Sequence, residues 1–404
     1  ATETGLRRNF GTLGSALLWA PFYAAADAGV RAARAMGSTV AADGYSAPYI
    51  SAVCIGSAVY GLLALLLAWH AARRVLEAAG LPAGPHTVAA SAMAGLGTPL
   101  LFYMYVAPGF AHATSAFAVA AFVLAWLVVR ERWSLPGMIV LGALAGLMAM
   151  VREQDAFVIV GPAIDLAWAV VRDRRVRPVG PALAGTAAAV LVYLPQAAAY
   201  LALNGRVGPS RLVSRKMAWS SPHAAGVLFS PEHGLFFWTP LALVAVAGLV
   251  LLAVRAGGTH TPSADASRTR EAPLRIGVGL LAIVIVQVYV AGSVESWTVA
   301  GAFGQRRFVA MASPFVIGLA VIGAHVARPR ARAAAAVLAA LCVWWNLGLM
   351  VQFGAGLMDR QRLDVPRNAY NTFIEVPRRL PEIAYRYVFE RGSFYRRTPP
   401  GGPS

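Results

Sequence analysis

Apolar runs of about 20 residues, the length that carries a helix across a hydrocarbon core about 30 Å thick, recur along the whole chain. They lie near 47–69, 86–106, 111–129, 136–151, 155–171, 180–203, 234–254, 276–293, 308–326 and 333–352. The pattern predicts an all-α, polytopic membrane protein with about ten transmembrane helices. Some connections are minimal: APGFAH joins the second run to the third, and REQD the fourth to the fifth. Ahead of the first run, LGSALLWAPFYAAADAGVRAARA (13–35) has apolar residues in front and then Asp27, Arg31 and Arg34 three to four apart. That spacing predicts a helix lying along the membrane surface. The stretch GGTHTPSADASRTREAP (257–273) is polar and rich in Ser and Thr, and the chain ends in TPPGGPS; both are expected to lack regular structure. No repeat of 20–50 residues is present.

Composition agrees with the pattern. Of 404 residues, 58% are hydrophobic and 13% charged, about half the charged share of an ordinary soluble domain. The net charge of +17 comes almost wholly from arginine, Lys216 being the only lysine. Many arginines flank the runs as anchors, and no basic stripe is interleaved with aromatics, so nucleic acid is excluded as a partner. Cys54 and Cys342 fall inside apolar runs and imply no disulfide framework.

Charge also orients the chain. One side gathers Arg73, Arg74, Arg130, Arg132, Arg172, Arg174, Arg175, Arg177, Arg255, Arg268, Arg270, Arg275, Arg328, Arg330 and Arg332. The other holds Arg152, Arg206, Arg211, Arg215, Lys216, Arg306 and Arg307 in its loops. The richer side is expected to be cytoplasmic, which puts both terminal segments outside. The arginine-rich tail after residue 353 pulls against this assignment.

Polar groups that survive in so apolar a chain mark function or anchoring. Asp165 is the only carboxylate well within a run; near its cytoplasmic end it is expected to bond a neighbouring helix. The outer side is richer. His112, Arg152, Glu153, Asp155, Arg215, Lys216, Glu232, His233, Glu295, Trp297, Arg306 and Arg307 all fall at run ends or in short outer loops. Carboxylates and histidine supply acid–base or metal chemistry. The cation pairs Arg215/Lys216 and Arg306/Arg307 suit a phosphate or pyrophosphate. Taken singly, each is read as an interfacial anchor; together they predict one cavity at the membrane surface. No Walker A run, G-x-S-x-G or H-E-x-x-H motif occurs.

In these segments the chain resembles GT-C-type membrane glycosyltransferases, specifically bacterial proteins similar to dolichyl-phosphate-mannose protein mannosyltransferases and the lipid A aminoarabinose transferase. The resemblance runs through NFGTLGSALLWAPFY, DGYSAPYISAVCIGSAVYGLLAL, YMYVAPGFAHATSAF, MVREQDAFVIV, LFSPEHGLFFWTPLAL and AGAFGQRRFVAMASPFVIGLA. It implies a polyprenyl-phosphate-linked sugar as donor, transfer at the outer face of the bacterial cytoplasmic membrane, and a glycan, lipid or protein acceptor. It also implies an acidic residue in the first outer loop as base. The opening ATETGLRRNFGT reads as the middle of a loop, so the first span and that acidic residue are expected to precede Ala1, and Glu3 is the nearest acidic candidate left. The resemblance further implies a divalent metal near the donor phosphate, with His233 as its ligand and His223 as the alternative. Residues 1–46 are then the remainder of that outer loop, 47–352 the transmembrane domain and 353–404 an outer tail.

The expected function is glycosyl transfer from a polyprenyl-phosphate sugar, with Arg215, Lys216, Arg306 and Arg307 holding the donor phosphate and His112, Arg152, Glu153, Asp155, Glu232 and Trp297 lining the site. A transporter or flippase for lipid-linked saccharides is the alternative; ionisable groups at run ends rather than mid-membrane weigh against it. A chain truly lacking the acidic residue would be a non-catalytic assembly protein.

Overall fold

The computed structural model describes residues 2–7, 9, 11–172, 179–255, 264–299 and 301–394. Among these there is no strand, only one isolated bridge between Met217 and Val294. The helices are α1 (Leu13–Ala35), α2 (Ala47–Ala78), α3 (Pro85–Gly97), α4 (His112–Val129), α5 (Leu135–Val151), α6 (Val160–Arg172), α7 (Val179–Asn204), α8 (Arg211–Ser214), α9 (Ala224–Phe229), α10 (Leu235–Trp238), α11 (Pro240–Arg255), α12 (Ala264–Gly292), α13 (Ala312–His325), α14 (Pro329–Ala355), α15 (Val365–Tyr370) and α16 (Val376–Phe389). Starts follow local chemistry: Pro85 and Pro329 open α3 and α14, and Ser134 caps α5 by accepting from the Gly137 amide. Gly356, at φ 72°, ends α14 in a left-handed turn.

Among the described residues, seven helices are long and apolar enough to cross a membrane: Ala47–Ala78, His112–Val129, Glu153–Arg172, Val179–Asn204, Glu271–Gly292, Arg306–His325 and Pro329–Ala355. Leu135–Val151 and Pro240–Val254 are shorter apolar helices. Two of the runs read as continuous spans are broken. The run 86–106 ends its α-helix at Gly97 and resumes as a π-helical turn, Phe102–Val106, after Thr98 and Pro99. Pro99 has no amide to continue the ladder, and the Thr98 hydroxyl bonds back to the Ala94 carbonyl. The freed Leu96 and Thr98 carbonyls accept from the buried Asn346 amide at 2.8 and 3.1 Å. Broken helix inside a membrane requires such an internal partner. The run 234–254 breaks at Thr239, and the Phe237 carbonyl accepts from the Trp345 indole.

α4 and α13 form the centre; every residue from Ala312 to Val321 is buried. Close approach is bought with glycine: a methyl on Gly142 would strike the Gly185 carbonyl across the α5–α7 contact, and one on Gly248 would strike Gly318 across α11–α13. α1 is not among the seven spanning helices; it packs beside α2 and α5. Its start is stitched to the bundle by Thr12 donating to the Val151 carbonyl and by Ser15 bonded to Thr114.

One expectation of unstructured chain needs correction. Residues 264–273, in the polar stretch, are the first turns of α12, while 256–263 lie outside the described residues. The expectation for TPPGGPS falls outside the described residues, and the tail ahead of it is helical from Val365 to Phe389. Charge spacing explains the tail: Arg379 and Arg386 sit four residues after Glu375 and Glu382 and pair with them. Asp165 meets its structural expectation. Its carboxylate accepts from Arg130 at 2.6 Å, Arg275 at 2.7 Å and the Trp126 indole at 2.9 Å, joining α4, α6 and α12.

Candidate functional site

The opposite end of the bundle from Asp165 is built from short segments between helices. In Ser-Pro-Glu-His-Gly, the Gly234 amide bonds back to the Ser230 carbonyl, and His233 takes φ 66°. A non-glycine residue in that region marks a backbone held by its surroundings. Here the holders are visible. His233 is fully buried, and its ring stacks on Trp238 at 4.7 Å and 11°. Its Nε2 lies 2.8 Å from the Ala302 carbonyl, and Gln305 donates to the His233 carbonyl at 3.2 Å. Nε2 therefore carries the proton, and Nδ1 is buried with no partner at hydrogen-bond geometry, the Arg360 backbone lying nearby. Burial pushes the His233 imidazole below the ordinary histidine range. Phe102, Phe303 and Phe353 stack beneath this turn, Phe102 on Phe303 at 4.6 Å.

Three arginines converge beside it. Arg152, in the turn after α5, donates to His112 Nδ1 at 3.1 Å. His112 is therefore an acceptor at Nδ1, and its ring lies 4.3 Å from Tyr103. Tyr103 in turn bonds the Phe303 carbonyl at 3.2 Å. Arg307, in the 3-10 turn Arg306–Met311, reaches the Ser296 carbonyl at 2.9 Å and the Ser296 hydroxyl at 3.3 Å. Its own carbonyl accepts from Gln287 at 2.7 Å and Gln154 at 3.3 Å. Arg306 is half-buried. It lies within electrostatic reach of Arg152, Arg307, His112, Tyr103 and His233. Among the described residues no hydrogen bond or ion pair engages its guanidinium.

The balance of charge here is unusual. None of the three guanidiniums has a carboxylate at ion-pair distance among the described residues. Burial, with repulsion from Arg306 added, pulls Arg152 below the usual arginine range, and Asp155 acts the other way. Asp155 is fully buried; Ser115 donates to its Oδ2 at 2.5 Å, and Oδ1 has no partner. Clustered cations short of anions form a site for an anionic group, and guanidiniums match phosphate oxygens by geometry.

Other candidates fall elsewhere. Arg215 and Lys216 are exposed, and their side chains make no hydrogen bond or ion pair with the arginine cluster. Only their loop approaches it, since the Lys216 carbonyl accepts from the Glu295 amide beside Ser296. Trp297 stacks on His223 at 5.4 Å, and its carbonyl accepts from Gln305. Glu153 accepts from Tyr193, Glu232 is half-buried next to His233, and Glu3 is exposed with Arg211 at 3.8 Å. Among the described residues no three His, Cys, Asp or Glu side chains gather as metal ligands. His233 offers one buried lone pair without the rest of a donor set, so no step below runs through a metal.

Tyr103, Ser115, Gln154, Gln287, Ser296 and Gln305 carry no charge and do not stand out in the sequence as site residues. The available signal was neutral amides inside apolar runs, such as Gln287 in IVQVYV, since a buried amide needs a partner. No family model matches the chain, and neither a curated protein nor a solved structure does.

Proposed function

We propose that this multi-pass membrane protein is a glycosyltransferase that moves a sugar from a polyprenyl-phosphate donor to an acceptor at the outer face of the bacterial cytoplasmic membrane. The observation that carries this reading is the convergence of Arg152, Arg306 and Arg307 with no carboxylate paired to them. The membrane supplies a lipid anion at that level; ATP is absent outside, so the donor must arrive already activated. In the transfer, the acceptor hydroxyl oxygen attacks the anomeric carbon, the carbon–oxygen bond to phosphate breaks, and the lipid phosphate leaves with the electron pair. Arg306 is free to meet that developing charge, Arg152 is oriented by His112, and Arg307 is held by Ser296. The acceptor's proton goes to a base that is not assigned to any residue of this chain.

The transport reading gains less support. The buried carboxylate inside the spans at the far end, Asp165, has both oxygens occupied by arginines and an indole. A proton- or substrate-carrying group needs an open position.

The test is reconstitution in proteoliposomes with a panel of polyprenyl-phosphate sugars. Release of polyprenyl phosphate with transfer of sugar is expected, and Arg152→Ala is expected to reduce it by about 10²–10³-fold. Movement of the intact donor across the bilayer with no release would replace transfer by transport.

A further inference from the structure

The tail carries a surface that the candidate site does not use. From Val365 to Phe389 the chain is helical throughout, through α15, a π-helical turn Asn371–Glu375 and α16. One face is bolted to α14. Asn368 donates to Gln352 at 2.9 Å, Gln352 donates to Thr372 at 2.8 Å, and the Trp344 indole donates to the Thr372 carbonyl at 3.1 Å. Asn368, Thr372 and Val376, one turn apart, are buried there. Further along, the Tyr387 hydroxyl meets the Tyr105 hydroxyl at the end of the π turn that carries Phe102 and Tyr103.

The face away from α14 is apolar and bare. Phe373, Leu380 and Val388 are 42%, 45% and 66% exposed, and Ile374, Tyr385 and Phe389, at 38%, 57% and 71%, lie on the adjoining row, which Arg378 and Glu382 share. These positions recur at helical spacing. Beside them run Arg378, Arg391, whose guanidinium lies over the Tyr387 ring, and Arg379 and Arg386, which pair with Glu375 and Glu382 at the surface. The stripe begins where the helix is pinned to Trp344, whose neighbour Trp345 bonds the Phe237 carbonyl. Phe237 stands at the end of the run 234–254 and Tyr105 at the end of the run 86–106, so both contacts place the tail helix at span ends, beside the boundary between hydrocarbon and headgroups. α14, 27 residues long, measures about 40 Å, roughly 10 Å more than the hydrocarbon core. Its last turns therefore rise past the interface, and the tail turns back from them to the level of Trp344.

We infer that the 365–389 helix is an interfacial anchor whose Phe373–Phe389 stripe lies in the bilayer surface and whose flanking arginines bind anionic phospholipid headgroups. An exposed apolar row of this length beside a span is favoured by burial in lipid. Arginine beside aromatic and aliphatic groups is the composition of a surface-lying helix on an anionic leaflet. Through Tyr105 this anchor is latched to the rim of the arginine cluster, so it sets the depth at which that site meets lipid.

The experiment uses the full chain, with Cys54→Ser and Cys342→Ala, in nanodiscs holding one copy each. Single cysteines replace Leu380 and Val388 on the stripe and Glu382 on the adjoining row, and reaction with a water-soluble maleimide is timed. In discs of phosphatidylcholine with phosphatidylglycerol, positions 380 and 388 are expected to react about tenfold or more slower than 382. In phosphatidylcholine alone, or at high salt, their rates are expected to rise several-fold as the headgroup attraction is lost. Equal rates at all three positions overturn the anchor. Protection of the stripe only when two copies share a disc replaces lipid by a second chain. Protection indifferent to lipid charge and salt overturns the role given to the arginines. None of these readings depends on sugar transfer, so the inference stands or falls apart from the proposed activity.

Discussion

Arg306 and Arg307 are neighbours in sequence with opposite energetic roles, and substitution separates them. Arg307 makes two charge-assisted bonds to Ser296, at 2.9 and 3.3 Å, and has an exposure of 9%. Bonds to a charged group contribute about 1.5–3 kcal/mol each. Replacing Arg307 by Met leaves the Ser296 carbonyl and hydroxyl unbonded and should cost on the order of 3–5 kcal/mol of stability. Arg306 makes no such bonds and is repelled by Arg152 and Arg307. Arg306→Met should therefore be neutral or stabilising by up to about 1 kcal/mol. Its price falls on function: a cation that meets charge only as the lipid phosphate departs contributes about 3–4 kcal/mol to the transition state, or about 10²–10³ in rate. The assay pairs thermal unfolding of both variants in nanodiscs with initial rates of sugar transfer. Arg306→Met should unfold no earlier than the parent and transfer little; Arg307→Met should fail in both. Parental activity in a stable Arg306→Met protein refutes the anion site, and early unfolding of that protein refutes the claim that its guanidinium is unengaged.

Two further substitutions test the frame. Asp165→Asn leaves Arg130 and Arg275 buried without their anion, the arginine side chains being only 8% and 15% exposed; a loss of about 3–5 kcal/mol and a Tm drop on the order of 5 °C are expected, and an unchanged Tm would show that the clamp carries no weight. For His233 the sign follows from burial: its folded pKa lies below the unfolded one, so the unfolded chain takes up the extra proton and stability is lost as pH falls. The contribution is complete above about pH 6.5, and a His233→Gln protein should show a flatter Tm profile below it; parallel profiles would mean that another group titrates.

The fold was legible where one residue type dominates a length. Runs such as 111–129 and 308–326 became α4 and α13 because twenty apolar residues in a membrane have one way to satisfy their backbone. The breaks were not legible. Thr98-Pro99 and Thr239-Pro240 lie inside unbroken apolar text, and what permits them is Asn346 and Trp345, about 250 and 108 residues away in sequence. The same limit applied to the site. Its charged members, His112, Arg152, Asp155, His233, Arg306 and Arg307, stood out because such groups are expensive there. Arg215 and Lys216 looked equivalent to Arg306 and Arg307 by type and spacing. Only the fold shows one pair exposed on a loop and the other seated against α12 and the 293–297 segment.

Asp165 at one end of the bundle and the arginine cluster at the other carry the same residue types in opposite states of satisfaction. At one end a single carboxylate, Asp165, is enclosed by two guanidiniums and an indole, and each donor has an acceptor within 3 Å. Such a group gains nothing from a ligand. At the other end three guanidiniums face one carboxylate whose second oxygen is bare, beside a histidine with a free lone pair and a glutamine with a free carbonyl. Leaving buried polar atoms unpaired costs about 1–3 kcal/mol apiece, and repulsion among the arginines adds to it. Unpaired atoms also occur on Arg73, His86 and Trp133, nearer the Asp165 end; what distinguishes the other cluster is that its unpaired atoms lie beside three guanidiniums with no paired carboxylate, an arrangement suited to an anionic partner. The partner must bring negative charge, must reach a site at the end of a membrane bundle, and must leave again. The proposed donor, a lipid phosphate that departs once its sugar is transferred, would satisfy all three conditions.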